Sequence, residues 1–185
     1  MNRISKAITC CLLATVSITA SAVATQVVHR TPKQLGEQAQ LVVRGRVVDV
    51  RSQWNDKRTK IFTTTRVAVD ESYKGSGAGT VDLVQMGGTV DNVKVTVHGA
   101  LAWNVGEEVL LFLERAGGGV YHVSGFSQGK FKITRNEATG EAFVNRPELL
   151  GTELVESSSL EPSAASSRVD EVPLDRFINQ ALGGR

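Results

Sequence analysis

Apolar and polar residues alternate with a period of two through most of the middle of the chain, which is typical of β-strands with one buried face. The alternation is longest at 61–73, and at 129–134 it places Phe131 and Ile133 inward and Lys130 and Lys132 outward. The pattern predicts seven strands, at 40–50, 61–73, 80–86, 93–97, 108–114, 120–126 and 129–134.

The strand predicted at 108–114 departs from simple alternation. It contains the run Val-Leu-Leu-Phe-Leu, which is apolar on both faces. A strand of this kind lies in the centre of a structure or is covered by a helix. We therefore expect a second layer to pack against the sheet at this strand.

Two helices flank the predicted strands. Thr31 is a favourable N-cap and Pro32 suits the first helical position, so a short helix is predicted at 32–39. Near the end of the chain, one apolar stripe at helical spacing predicts an amphipathic helix at 173–185, formed by Leu174, Phe177, Ile178 and Leu182. This helix either docks back on the strands or binds another protein.

Short strands separated by glycine-rich turns predict an all-β domain with minor α, a barrel or a sandwich, over 25–146. A Ser/Pro-rich stretch at 147–172 has little to bury and is predicted to be a linker. No glycine lies in a nucleotide-binding motif.

The first 24 residues have the three parts of a secretory signal peptide. Arg3 and Lys6 form the positive region, 7–20 is apolar and too short to span a membrane, and 22–24 is an A-x-A cleavage site. We expect cleavage before Thr25, with the A-x-A of 20–22 as the alternative site, and a secreted or periplasmic location. No membrane span is predicted in the mature chain.

Removal of this segment changes the composition of the 185-residue chain. Cys10 and Cys11 both leave, so the mature domain has no disulfide and depends on its core. Loss of Arg3 and Lys6 lowers Lys plus Arg from 21 to 19, which equals Asp plus Glu. A neutral exported protein is not expected to bind nucleic acid.

Three segments carry a resemblance to a known family. The sequence has V-x-G-x-V at 43–47, Y-K-G at 73–75 and G-E-x-x-L-x-F at 106–112. This layout resembles netrin-type modules and tissue inhibitors of metalloproteinases, and secreted bacterial proteins with the same spacing. The resemblance covers about 40–114 and implies a small closed or partly open OB-like β-barrel. The N-terminal cysteine with which the inhibitors chelate zinc has no counterpart, because the mature chain begins at Thr25.

The chain offers no motif for catalysis or for a metal. Its histidines, His29, His98 and His122, form neither HExxH nor an H-x-H pair, and the last two are predicted to be half-exposed strand residues. Ser124 and Ser127 neighbour His122 without a G-x-S-x-G elbow. In Glu107-Glu108, adjacent strand residues point to opposite faces. We predict no catalytic residue, no metal and no cofactor.

The most suggestive polar segment is 51–60, a predicted loop between the first two strands. Trp54 offers a stacking platform, while Arg51, Lys57 and Arg58 offer hydrogen-bond donors. These four residues are the candidate binding site, unless Trp54 packs on the end of the barrel.

Together these features predict an exported, non-catalytic binding module that recognises another secreted protein. The family resemblance adds a protease as one such partner. The alternative is a cell-envelope or matrix component that binds polysaccharide through the Trp54 loop. No enzymatic activity is expected.

Overall fold

Twelve strands and two helices follow one another in the part of the chain that the computed structural model describes, residues 27–77, 79–145, 154–155 and 171–184. The first elements are β1 (Val27–Val28), α1 (Pro32–Gln38), β2 (Leu41–Trp54), β3 (Ile61–Lys74), β4 (Thr80–Met86), β5 (Gly88–Val90) and β6 (Val93–Val95). They are followed by β7 (Glu108–Gly117), β8 (Val120–Val123), β9 (Lys130–Arg135), β10 (Ala142–Asn145), β11 (Leu154–Val155), β12 (Val172–Pro173) and α2 (Leu174–Leu182). The predicted class, all-β with minor α, is confirmed.

Five strands, β2, β3, β4, β7 and β8, close into a ring. β2 pairs antiparallel with β3 and β7, and β3 pairs antiparallel with β4. β8 completes the ring by pairing parallel with β4 and antiparallel with β7. From β7 the sheet continues through β9, β10 and β12.

The two longest strands bend so that the ring can close. Pairing between β2 and β3 shifts register at three places, and such bulges increase the local twist and bend of a strand. At Gly45 the strands approach so closely that an added Cβ would lie 2.2 Å from the carbonyl oxygen of Ala68. Glycine is therefore required at this crossing.

The two apolar faces of β7 contribute to two different cores. Val109, Leu111 and Leu113 point into the ring, and Leu110 and Phe112 point to its outside. The inner core consists of Leu41, Val43, Val47, Val67, Val81, Leu83, Val109, Leu111, Leu113 and Val123. The outer core consists of Leu35, Ala39, Val42, Leu110, Phe112, Phe131, Ile133, Val144, Leu174, Phe177 and Ala181. The expected covering layer over this strand is present and is helical.

The apolar stripe of α2 is buried against the protein's own sheet. The ring of Phe177 lies 4.6 Å from that of Phe131 and 6.2 Å from that of Phe112, between ring centroids. Because Leu174 and Ala181 are also buried, the helix docks back on the chain and leaves no apolar stripe for another protein. Of the two predicted roles for this helix, docking is the one observed.

α1 begins as its sequence predicts. The Thr31 side chain accepts a hydrogen bond from the Gln34 amide at 3.3 Å, and the Gln34 side chain accepts one from the Thr31 amide at 2.8 Å. This reciprocal capping box satisfies amides that the first helical turn leaves unpaired.

Several predicted boundaries are wrong, and three of them affect residues singled out in the sequence. β2 continues to Trp54, so the loop after it is shorter than 51–60. β8 ends at Val123 instead of continuing to 126, because Gly125 and Phe126 adopt positive φ angles of 65° and 69°. β6 ends at Val95, so His98 lies in an exposed turn and not in a strand.

The predicted signal peptide, 1–24, lies outside the described residues, as does most of the predicted linker, 147–172. Within the linker range, the backbone of β11 pairs parallel with β1, and β12 pairs antiparallel with β10.

Where the helices do not cover the outer face of the sheet, an ion-pair network replaces the apolar side chains. Glu108 accepts two hydrogen bonds from Arg135, at 2.6 and 3.1 Å, and lies within 3.8 Å of Arg44 and Arg46. These contacts, above all the hydrogen bonds from Arg135, hold the pKa of Glu108 below its ordinary value.

A carboxylate with a lowered pKa stabilises the fold above its ordinary pKa of about 4.5 and loses that contribution as the pH falls. We therefore expect Arg135→Gln to destabilise the protein by about 1 kcal/mol at pH 7, and by less at pH 3. Urea unfolding at both pH values measures the difference, with Lys132→Gln on the same strand as the control. An equal loss at both pH values would contradict this linkage.

The two helices meet at Gly36, where an added Cβ would lie 1.9 Å from the carbonyl oxygen of Ala181. Alanine ordinarily stabilises a helix relative to glycine. Here we expect Gly36→Ala to destabilise the protein by about 1–3 kcal/mol, because the helices must move apart. Urea unfolding measures the change, and Glu37→Ala, at the exposed neighbouring position, is the control. Stabilisation by Gly36→Ala would show that the helices do not pack as described.

Candidate functional site

A mostly apolar cleft of about 250 Å³ opens at one side of the ring. It lies between β4, the start of the covering segment (residues 97–107) and the Phe126 turn (residues 124–129) that follows β8. Its polar lining residues are Thr65, Gln85 and His122, and none of its lining residues is an acid, a lysine or an arginine. The cleft is therefore suited to apolar or neutral groups.

Two large apolar side chains at the cleft are exposed to solvent. Met86 is 45% exposed and Phe126 is 52% exposed. Exposed apolar side chains that border a concave apolar surface are typical of interaction sites, whereas scattered ones are common on any protein. This grouping makes the cleft the candidate functional site.

The covering segment is attached to β4 by hydrogen bonds. The amide nitrogen of the Gln85 side chain donates to the Leu101 carbonyl oxygen at 2.9 Å, and Trp103 Nε1 donates to Gln85 Oε1 at 3.2 Å. Leu101 and Trp103 also pack against the inner core. One wall of the cleft is thus a loop held in place by both polar and apolar contacts.

Lys130 also holds the covering segment, and here the sequence-based prediction is wrong. The alternation in β9 predicts an outward, solvated lysine, but Lys130 is 2% exposed. Its Nζ donates to the Ala102 carbonyl oxygen at 2.7 Å and to Glu107 at 2.9 Å, and it lies 4.4 Å from the centroid of the Trp103 ring. The covering segment packs on this face of β9, so the lysine is enclosed.

Two opposing effects act on the pKa of Lys130. Burial lowers the pKa of the ammonium, while the hydrogen bond to Glu107 opposes that change. Glu107 lies just before β7 and pairs with Lys130, whereas Glu108, the first residue of β7, pairs with Arg135. Each carboxylate is thus paired, and neither is freely solvated.

The Phe126 turn presents its aromatic side chain from a fixed backbone. The Gly129 amide donates to the Ser124 carbonyl oxygen at 3.0 Å, and the Ser124 amide donates to that of Phe112 at 2.8 Å. Phe126 has a φ of 69°, a region that bulky residues rarely adopt. Such strain persists only where the surroundings impose it, and it is concentrated at functional sites.

Beside the turn, Ser124, His122 and Glu114 form a polar cluster. Ser124 Oγ donates to Glu114 Oε1 at 2.6 Å, and His122 Nε2 lies 3.7 Å from Glu114 Oε2. The carboxylate stands between the hydroxyl and the imidazole, and Ser124 is 0% exposed. Since a nucleophilic serine must reach its substrate and be activated by a base, this buried hydroxyl is not arranged as a nucleophile, and its hydrogen bond instead joins the turn to β7.

The residues predicted from sequence lie elsewhere, at the end of the β2–β3 hairpin. Arg51 and Trp54 both belong to β2, but they are three residues apart and therefore point to opposite faces. Arg51 is exposed and pairs with Asp49 at 2.8 Å on its own face. The structure thus does not bring Arg51 and Trp54 to one surface.

Lys57 and Arg58 lie in the hairpin tip (residues 55–60), where both are exposed. Asn55 Oδ1 accepts hydrogen bonds from the amides of Thr59 and Lys60, at 2.8 and 3.0 Å, and so orders the tip. Within the part of the chain that the structure describes, neither Lys57 nor Arg58 forms an ion pair. Trp54 is only partly exposed at the base of the tip.

The cleft has no direct signal in the sequence. Its lining residues come from four separate stretches, and most of them are apolar residues that pattern analysis assigns to a core. Phe126 was the one available clue, since it is a large apolar residue between Gly125 and Ser127 in a stretch rich in turn-forming residues.

Among the described residues, no group of three or more His, Cys, Asp or Glu side chains is placed to hold a metal ion. The described helices do not include one that is long and apolar enough to cross a membrane. No protein-family model and no curated protein matches this chain.

We expect Lys130→Met to destabilise the protein by about 3–5 kcal/mol, because Glu107 is left buried without its cation. The double variant Lys130→Met, Glu107→Gln is expected to recover much of this loss, because it removes the uncompensated charge. Urea unfolding of both variants measures the effect, with Lys132→Met as the exposed control. A single variant as stable as the wild type would contradict a structural role for the pair.

Proposed function

We propose that this protein is an exported, non-catalytic binding module that recognises another secreted protein through the cleft. The observation that carries this proposal is the apolar cleft with Met86 and Phe126 exposed beside it. Burial of such side chains on binding supplies most of the affinity at protein interfaces.

The character of the two exposed residues supports a protein partner. Phe126 is an aromatic group with only two rotatable side-chain bonds on a turn closed by backbone hydrogen bonds, so its side chain loses little conformational freedom on binding. Methionine at position 86 is flexible and adapts its shape to an apposed surface. A fixed aromatic anchor beside an adaptable neighbour is a suitable arrangement for contacting another folded protein.

The ring supports the proposal of an OB-like barrel, the fold that the family resemblance implies. It contains five strands, and the cleft is lined by residues of β3 and β4, which are its second and third strands in chain order. In OB-folds this pair of strands forms the ligand-binding face. Export rests on the sequence of residues 1–24, and a protease partner rests on the resemblance alone.

A second candidate function is polysaccharide binding in the cell envelope or matrix, through the hairpin tip and Trp54. The observation in its favour is that Lys57 and Arg58 are exposed on an ordered tip next to a partly exposed tryptophan. Aromatic faces stack on sugar rings and cationic groups donate to acidic ones. Arg51 is not part of this surface, since it lies on the other face of β2.

Affinity capture from the secreted fraction of the producing organism tests the two candidates. We expect the variant Phe126→Asn, Met86→Ala to weaken capture of a dominant protein at least about thirtyfold, the size of a hot-spot loss. Asparagine is chosen at 126 because it tolerates a positive φ. Val105→Asn, at a 67% exposed apolar position that does not line the cleft, is the matched control.

The variant Trp54→Ala, Arg58→Ala separates the alternatives. Capture that is lost in this variant and kept in the cleft variant would move the site to the hairpin. Retention on polysaccharide that requires Trp54 would support the second candidate. Equal protein capture by the wild type and the cleft variant would overturn the proposed use of the cleft.

A further inference from the structure

We propose that the cleft accepts one tyrosine side chain of the partner protein. This inference rests on the proposed function and specifies the chemistry that the cleft recognises. It follows from three properties of the cleft: its size, its lack of charge and the hydrogen-bonding groups that it leaves unused.

The size of the cleft suits a single aromatic ring. Its volume is about 250 Å³. A cavity of about 150 Å³ is enough to bind benzene, and pockets for drug-sized ligands begin at about 300 Å³. The enclosed part of the cleft therefore has room for one aromatic side chain with a substituent.

The lining disfavours a charged occupant. No acidic, lysine or arginine side chain lines the cleft, so an ammonium would lose its hydration without gaining a carboxylate, and a carboxylate would meet only the imidazole of His122. Leu83, Leu101 and Trp103 supply apolar walls. The indole of Trp103 and the ring of Phe126 offer aromatic surface against which a third ring packs favourably.

A purely apolar occupant would leave polar groups of the cleft unpaired. Thr65 is 1% exposed, and its hydroxyl is buried without a hydrogen-bond partner. Gln85 uses its carbonyl oxygen and one amide hydrogen on the covering segment, so its second amide hydrogen remains available. A phenol both donates and accepts, so it can pair with a hydroxyl or an amide, whereas a phenylalanine ring cannot.

The open side of the cleft indicates a side chain rather than a free phenol. Met86 and Phe126 line the cleft and remain about half exposed, so a small ligand would leave both in water. A tyrosine brings its own polypeptide, which covers these residues as the ring enters. The occupant to which the cleft is complementary is thus a tyrosine carried on a protein surface.

The test compares N-acetyl-L-tyrosine amide with N-acetyl-L-phenylalanine amide by NMR titration of the purified protein. We expect both to shift the resonances of Leu83, Leu101 and the Trp103 indole, with the tyrosine amide binding about tenfold more tightly, the value of roughly one hydrogen bond. A leucine amide of the same form is expected to bind more weakly than either.

Three variants assign the preference to the Thr65 hydroxyl. Thr65→Val keeps the shape of the side chain and is expected to abolish the tyrosine preference while phenylalanine amide still binds. Thr65→Ser restores the hydroxyl and is expected to restore the preference. Thr64→Val, on the opposite face of β3, is the matched control. Urea unfolding of each variant verifies that the fold is retained.

The negative outcomes are distinguishable. Equal affinity for the two aromatic amides, with shifts at the cleft, would overturn the tyrosine inference and leave the cleft as a general apolar anchor for a partner. A full tyrosine preference in Thr65→Val would overturn the inference in the same way. An absence of shifts at the cleft with either amide would overturn both this inference and the proposed use of the cleft in binding.

Discussion

The structure depends on the burial of both faces of β7. Val109, Leu111 and Leu113 require an enclosed space on one side of the strand, and Leu110 and Phe112 require a cover on the other. Closure of β2, β3, β4, β7 and β8 into a ring meets the first requirement, and the docking of α1 and α2 meets the second. In a domain without disulfides, these two apolar cores provide the stability.

The candidate site follows from how the ring is filled. Apolar residues occupy the inner core, but towards β4 the lining includes Thr65, and a cleft remains between the ring and the covering segment. Lys130 keeps that segment in place from the far side, through Ala102, Trp103 and Glu107. A buried ion pair outside the cleft thus determines the position of one of its walls.

The sequence was informative about elements and uninformative about the site. The helix at 32–39, the strand that is apolar on both faces and the C-terminal helix were all predictable from the sequence. Helix caps, strand periodicity and apolar stripes are local properties of the chain. The β8 boundary failed because positive φ values at Gly125 and Phe126 override strand propensity. Trp54 and Arg51 were grouped by proximity in sequence, although strand alternation separates them.

By itself, the sequence determined which segments form strands and helices, and that β7 needs partners on both faces, because burial patterns repeat with the period of each element. Tertiary structure alone decided that the strands close into a ring, that Lys130 is buried and that Thr65, Met86 and Phe126 border one cleft. These outcomes depend on contacts between residues far apart in the chain. Local sequence patterns do not predict which residues pack over one another, because those contacts form only in the assembled fold.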